Sequence, residues 1–192
     1  MRIWRDTWRH AANLAADRRG LAAVEFAFIL PVMMVMLFGT VEFSSAIAID
    51  RKVTLMARTL SDLTSQATTV SNNDLTNFFA ASTGIMTPYP TTSSLLSTTI
   101  TELYVDSSTK VARVQWSQGS APLTTGSTVA IPSTLAVGGT YLIYSQVRYT
   151  YVPTVGYVLA KAGITMTDTA FTRPRQSTCV YYPTTGTSCP TS

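Results

Sequence analysis

Enzymes work through a short list of side chains, and this chain places few of them where they can meet. Its 192 residues include one histidine, His10, which lies in the first twenty residues, ahead of a long apolar run. Ser/His and Cys/His nucleophiles need an imidazole at their side, so the sequence beyond that point can build neither. It also holds no GxxxxGK phosphate loop and no GxGxxG dinucleotide fingerprint. The acids Glu102, Asp106 and Asp168 are candidates for paired acid/base work, but each falls in a strand or turn context where a solvated position is the ordinary outcome. Cys179 and Cys189 are the two cysteines. Structural zinc takes four ligands, and no histidine is at hand to complete a set. The expectation is a chain with no catalytic, cofactor-binding or metal residues, and not an enzyme.

Two further groups matter by position. Gly20 and Glu25 stand at the start of the apolar run, which has no charged residue from Phe26 to Val41. With its weakly polar flanks, Leu21 to Val24 and Ser44 to Ile49, the stretch covers about 29 residues, roughly 43 Å of helix. That crosses a hydrocarbon core of about 30 Å. Arg2, Arg5, Arg9, Arg18 and Arg19 precede it, so the positive-inside rule puts the N-terminus in the cytoplasm and the bulk of the chain on the far side. A removable secretory signal fits badly. Its apolar core is about 7–15 residues with a small-residue cleavage site behind it, whereas here the run is longer, contains Pro31, and has its small residue, Gly20, in front. An ionisable group within a spanning segment costs roughly 2.5–3.5 kcal/mol on insertion scales. Glu25 therefore either serves a purpose there or lies at the membrane edge among headgroups; Glu42, near the opposite face, reads as interfacial.

A basic leader ending in Gly20, then Leu21, then Glu25 five residues after the glycine resembles the start of a type IV prepilin. More narrowly, GLAAVEFAFILP followed by GTVEF resembles the TadE-like family, the minor pseudopilins of tight-adherence (Tad) pili, over about Arg18 to Gln66. A general similarity to that family's periplasmic strands extends to YLIYSQVRYTYVP and ITMTDTAFTRP. The resemblance implies cleavage after Gly20 by a prepilin peptidase, an aspartyl protease of the inner membrane. Leu21 becomes the first mature residue, and Glu25 of one subunit neutralises the new amine of a neighbour. It implies as partners that peptidase, other Tad pilins and pseudopilins, the inner-membrane assembly platform and membrane lipid. It implies a single-pass inner-membrane protein with a periplasmic domain, incorporated into a pilus.

The formal charge of +4 is uneven: five arginines against Asp6 and Asp17 leave +3 in the first twenty residues and +1 in the rest. Nucleic-acid binding needs a clustered basic patch, and here the cluster is a membrane-orienting leader, so no nucleic-acid partner is expected. The leader, residues 1–20, carries Ile3, Trp4 and Trp8 among its arginines. That suits a short amphipathic helix at the membrane surface, although a segment destined for removal need not fold, and a disordered leader is preferred.

The elements that must position these groups follow from periodicity. Val53, Met56, Leu60, Leu63, Ala67 and Val70 recur at spacings of three and four, so the helix runs on as an amphipathic rod to about Thr69, its stripe packed on the chain's own sheet. Asn73 is the expected cap of a short helix from Asp74 to about Ala81, ending before Gly84. The Thr/Ser/Pro-rich segment from Ile85 to Thr99 reads as an extended loop. Ile100 to Asp106 and Lys110 to Gln118 form a hairpin, Val129 to Pro132 a short edge strand, and Thr140 to Val152 the longest strand, with Tyr141, Ile143, Val147, Tyr149 and Tyr151 on one face. A tyrosine ladder of this kind is ordinary sheet packing. Val155 to Ala162 suits a short crossing helix and Ile164 to Thr172 a last strand. Two cysteines in an extracytoplasmic tail read as a disulfide, and type IV pilins often carry a comparable C-terminal loop.

The expected architecture is α+β and pilin-like: a long N-terminal helix, transmembrane in its first half and amphipathic in its second, packed on a small antiparallel sheet. The divisions are a leader over residues 1–20, the helix over 21–70 and a periplasmic α+β domain over 71–192. Two readings share this topology with a Tad minor pseudopilin. One is an uncleaved, signal-anchored periplasmic binding module or surface adhesin, and the other is a type II secretion pseudopilin.

Overall fold

The computed structural model describes residues 19–153, 163–183 and 189. The leader through residue 18, with His10, and the crossing helix expected at Val155 to Ala162 lie outside them. Helix α1 spans Arg19–Ser65 and α2 Asn72–Thr83, followed by a 3-10 turn at Gly84–Met86. The strands are β1 Leu96–Val105, β2 Ala112–Gly119, β3 Thr128–Val129, β4 Thr140–Tyr151 and β5 Ile164–Thr172. They form one five-stranded sheet in the order β3-β2-β1-β4-β5, antiparallel throughout. The α+β layout of a long N-terminal helix and a small antiparallel sheet is the expected one. The chain divides into two units, the first ending at Ser44 and the second beginning at Ser45.

In the second unit the helix presents Ile49, Val53, Met56, Ala57 and Leu60, all fully buried, to Ile100, Trp116, Ile143, Val147 and Tyr149 of the sheet. The spacing of four, three, one and three is a helical face, and Val53, Met56 and Leu60 sit on it as periodicity predicts. Small residues complete the seat. Ser145 donates to the Ala57 carbonyl at 2.6 Å and Ser61 to the Ile143 carbonyl at 3.2 Å, while Thr172 donates to the Ser61 carbonyl at 3.0 Å. Ala57, Ser61 and Ser65 stand one turn apart, and all are fully buried. Short side chains here let helix and strand backbones approach within reach of single hydroxyls, and each buried hydroxyl finds a partner.

The helix stops at Ser65 rather than near Thr69. Thr64 and Ser65 turn their hydroxyls back onto the Leu60 and Asp62 carbonyls, and the Gln66 N–H closes the last turn on the Asp62 carbonyl at 3.2 Å. Beyond them the backbone is used elsewhere: Val70 N–H donates to the Tyr181 carbonyl at 2.8 Å and Tyr181 N–H to the Thr68 carbonyl at 2.9 Å. Helix α2 is capped by Ser71, not Asn73. Its hydroxyl accepts the Asp74 N–H and the Asp74 carboxylate accepts the Ser71 N–H, a capping box that also holds the Asp74 carboxyl below its ordinary range.

Strand β1 starts at Leu96, inside the segment expected to be loop, because Leu96 to Thr99 pair with Gln146 to Tyr149. Strand β2 starts at Ala112 instead of Lys110, which takes φ 60° in the turn. The register between β1 and β2 shifts after Glu102, so that Glu102 faces Trp116 but Leu103 faces Val114, leaving Gln115 as the extra residue. Trp116 consequently joins the helix-side core, and Val114 the core on the other face. That second core, with Leu103, Val105, Ala112, Leu142 and Tyr144, is covered by Leu123, Val129, Ile131, Leu135 and Phe171. Gly119 ends β2 at φ 135°, where a Cβ would fall 2.1 Å from the Thr98 carbonyl oxygen, so only glycine fits.

The close seat of α1 on β4 is testable. Ser145→Ala should cost about 1 kcal/mol, one buried hydrogen bond. Ser145→Leu, which forces a branched chain between two backbones, should cost about 2–3 kcal/mol. Urea unfolding of the detergent-solubilised protein measures both.

Candidate functional site

In the first unit, every residue from Gly20 to Val41 is exposed, including Leu21, Phe26, Phe28 and Val35. A helix apolar on all sides, with none of its most hydrophobic stretch buried within the chain, requires an apolar surrounding. Its polar side chains turn inward where they can: the Thr40 hydroxyl donates to the Met36 carbonyl one turn back, at 2.8 Å. Gly20 lies in the first turn of α1. A Cβ built on it meets nothing within 4 Å, and its φ is not in the left-handed region. Nothing within the described chain requires glycine there. Leu21 and Glu25 follow on the same helix four residues apart, one above the other on one face. Both side chains are exposed.

The other predicted pair, Cys179 and Cys189, forms a disulfide. Cys179 is fully buried against Tyr104 and Tyr141, whose rings lie 5.0 Å apart. The residues beside it are fixed to the sheet. Val180 N–H donates to Glu102 Oε1 at 2.6 Å, Trp116 Nε1 donates to the Val180 carbonyl at 2.9 Å, and the Trp116 and Tyr182 rings stack with centroids 5.5 Å apart.

Glu102 corrects the expectation that all three candidate acids are solvated. Its side chain is 1 % exposed. Burial pushes its carboxyl up to about 7, against the opposing pull of hydrogen bonds from Val180 and Trp116. The signal was in the sequence: on alternating strand positions Glu102 shares a face with the apolar Ile100 and Tyr104, and β1 is buried on both faces. Asp106 does sit in the hairpin turn, where its Oδ1 accepts the Ser108 and Thr109 N–H groups at 2.8 and 2.7 Å, which lowers its carboxyl. Asp168 lies on β5 opposite Val147 and accepts the Thr169 N–H. The three acids have three separate sets of partners and share no hydrogen bond. No group of three or more His, Cys, Asp or Glu that could hold a metal occurs among the described residues.

A single exposed apolar helix of spanning length at the N-terminus of a small α+β domain is consistent with a membrane anchor. Residues 20–60 match a family model described as TadE-like protein. The match runs from the glycine ahead of the apolar stretch to Leu60 on the face that packs against the sheet. No curated protein and no solved structure matches the chain.

The raised Glu102 carboxyl makes stability depend on pH. Its ordinary value is 4.5 and its folded value about 7, so below pH 4.5 the acid is protonated in both states and costs nothing. Between 4.5 and 7 the unfolded chain loses the proton while the folded chain keeps it, and stability falls as pH rises, by about 3 kcal/mol in all, levelling off above 7. Glu102→Gln keeps an acceptor for Val180 and should flatten that slope, leaving the variant more stable than the parent at pH 8. Chemical denaturation across pH 4 to 8 gives the comparison.

Proposed function

We propose that this chain is a minor pseudopilin of a Tad pilus: a prepilin peptidase cuts it after Gly20, and the mature chain assembles with other pilins and pseudopilins on an inner-membrane platform. The observation that carries the reading is the TadE-like match over residues 20–60, which begins at a glycine with open space around it. The peptidase must bring its acidic groups to the Gly20–Leu21 bond. A residue without a side chain lets them reach the backbone. The arginines before Gly20 hold that bond at the cytoplasmic face, and the domain after Ser44 lies in the periplasm. The role is structural, with no cofactor and no reaction of its own.

Cleavage changes the electrostatics of the helix. It removes the cationic leader and leaves an amine on Leu21. In an assembly, helices lie side by side in or near lipid, where an unpaired charge is expensive and a partner amine offsets the cost. Glu25 is exposed on its own helix, so its carboxylate is available to a neighbouring subunit's new N-terminus.

Gly20→Phe should leave the full-length form in the inner membrane; intact mass and N-terminal sequencing of membrane-extracted protein read the outcome, and normal maturation would overturn the assignment.

Glu25→Leu and Glu25→Gln should still be cut and still be membrane-bound, yet lose co-purification with their partner pseudopilins and form no surface pili. A chain that is only an anchor would tolerate Glu25→Leu, which removes an insertion cost of roughly 2.5–3.5 kcal/mol. Wild-type piliation by both variants would end the role given to Glu25.

A further inference from the structure

All the elements of the second unit that meet the start of its helix do so at one end of the sheet. Ser61 and Ala57 bond to β4 at Ile143 and Ser145, so the helix descends along β4 toward Tyr151 as it is followed back to Ser45. Strand β1 begins at this end, with Leu96 opposite Tyr149, and β5 begins there, with Ile164 opposite Tyr151. Between them is a cavity of about 300 Å³ lined by Ser45, Tyr89, Pro90, Leu95, Tyr149 and Tyr151, among others. Its wall is fixed: the Tyr149 hydroxyl donates to the Pro90 carbonyl at 3.0 Å, and Lys52 Nζ ties the same loop to the helix through the Ile85 and Thr87 carbonyls at 2.8 and 3.0 Å. Val152 and Ile164 are exposed at this end, 40 % and 51 %. Tyrosines beside exposed aliphatic groups are the composition of a membrane–water interface.

Depth follows from counting along the chain. A hydrocarbon core takes about 20 helical residues, and counted from Phe26, where the uncharged run begins, these end at Ser45, which lines the cavity. The cavity therefore falls in the headgroup layer.

We propose that this tyrosine-lined cavity is a lipid site: it takes the phosphate and glycerol region of a phospholipid from the leaflet that the domain faces, and so seats the domain's end on the bilayer. The Ser45 and Tyr89 hydroxyls supply donors to phosphate and ester oxygens, and Leu95 and Pro90 supply apolar wall. The proposal rests on the reading of α1 as a membrane span.

The test uses the full-length protein in vesicles of phosphatidylethanolamine and phosphatidylglycerol, with a photoreactive phenylalanine analogue in place of Tyr89, Val152 or Lys110. Lys110 sits in the hairpin turn after Val105, at the other end of the strands, and serves as reference. Phospholipid adducts at positions 89 and 152, severalfold above those at position 110, are expected. Tyr151→Ala should lower the adduct at position 152 severalfold while the protein still floats with the vesicles. Flotation with adducts at 89 and 152 no higher than at 110, or adducts to a second copy of the chain in place of lipid, would overturn the lipid site and leave the span standing. Failure to float would overturn the span and the site together.

Discussion

The structure depends on one helix meeting two surroundings. As far as Val41 α1 is exposed on every side and carries its most apolar residues there; from Ile49 on it buries one face at spacings of three and four. No single surrounding suits both halves. An all-apolar helix is stable where its backbone polar groups are satisfied internally and its side chains meet lipid, and an amphipathic one where a second layer covers its stripe. The change of pattern between Ser44 and Ile49 is thus the point to which both the anchor and the folded domain must be matched.

On the domain side, the match is made by small residues as much as by large ones. Leucine and methionine fill the groove, but contact at Ala57 and Ser61 is close enough for strand hydroxyls to bond helix carbonyls. Such bonds add little net free energy each, about 1 kcal/mol. The small residues fix the axial position of the helix, because a slip by one turn would bring the branched Val53 to where Ala57 lies against Ser145. The sheet in turn needs a cover on its second face, and the bulge at Gln115 provides for it by sending Val114 and Trp116 to opposite sides.

The helix, its apolar and amphipathic parts, the hairpin, the long strand and the last strand were legible in the sequence because each is a periodic signal. What was not legible was set by tertiary pairing. Leu96 to Thr99 read as loop from their serines and threonines, yet β4 offers them a ladder, and β-branched threonine fits a strand well. The second core was hidden because Val114 and Trp116, two apart, read as one face until the bulge separates them. At the N-terminus, Gly20, Leu21 and Glu25 were singled out by order alone, and no packing within the described chain accounts for the glycine. Glu102 was missed because its charge was weighed before its neighbours Ile100 and Tyr104.

Glu102 also bears on why the C-terminal segment is held twice. Its carboxyl accepts the Val180 N–H, and an apolar residue in its place would leave that donor buried without a partner, at a cost of about 1–3 kcal/mol. Glutamine would satisfy the donor equally. Glutamate differs in that it can ionise: the carboxylate accepts the Val180 N–H more strongly, but its burial costs the fold more than that bond returns, while Arg175 and Asp62 pair elsewhere, on the surface. The Cys179–Cys189 disulfide begins one residue from Val180 and restricts the same segment through the entropy of its unfolded alternatives, which no proton changes. The covalent link closes a loop within the tail, and the carboxyl with Trp116 determines where on the sheet that loop attaches.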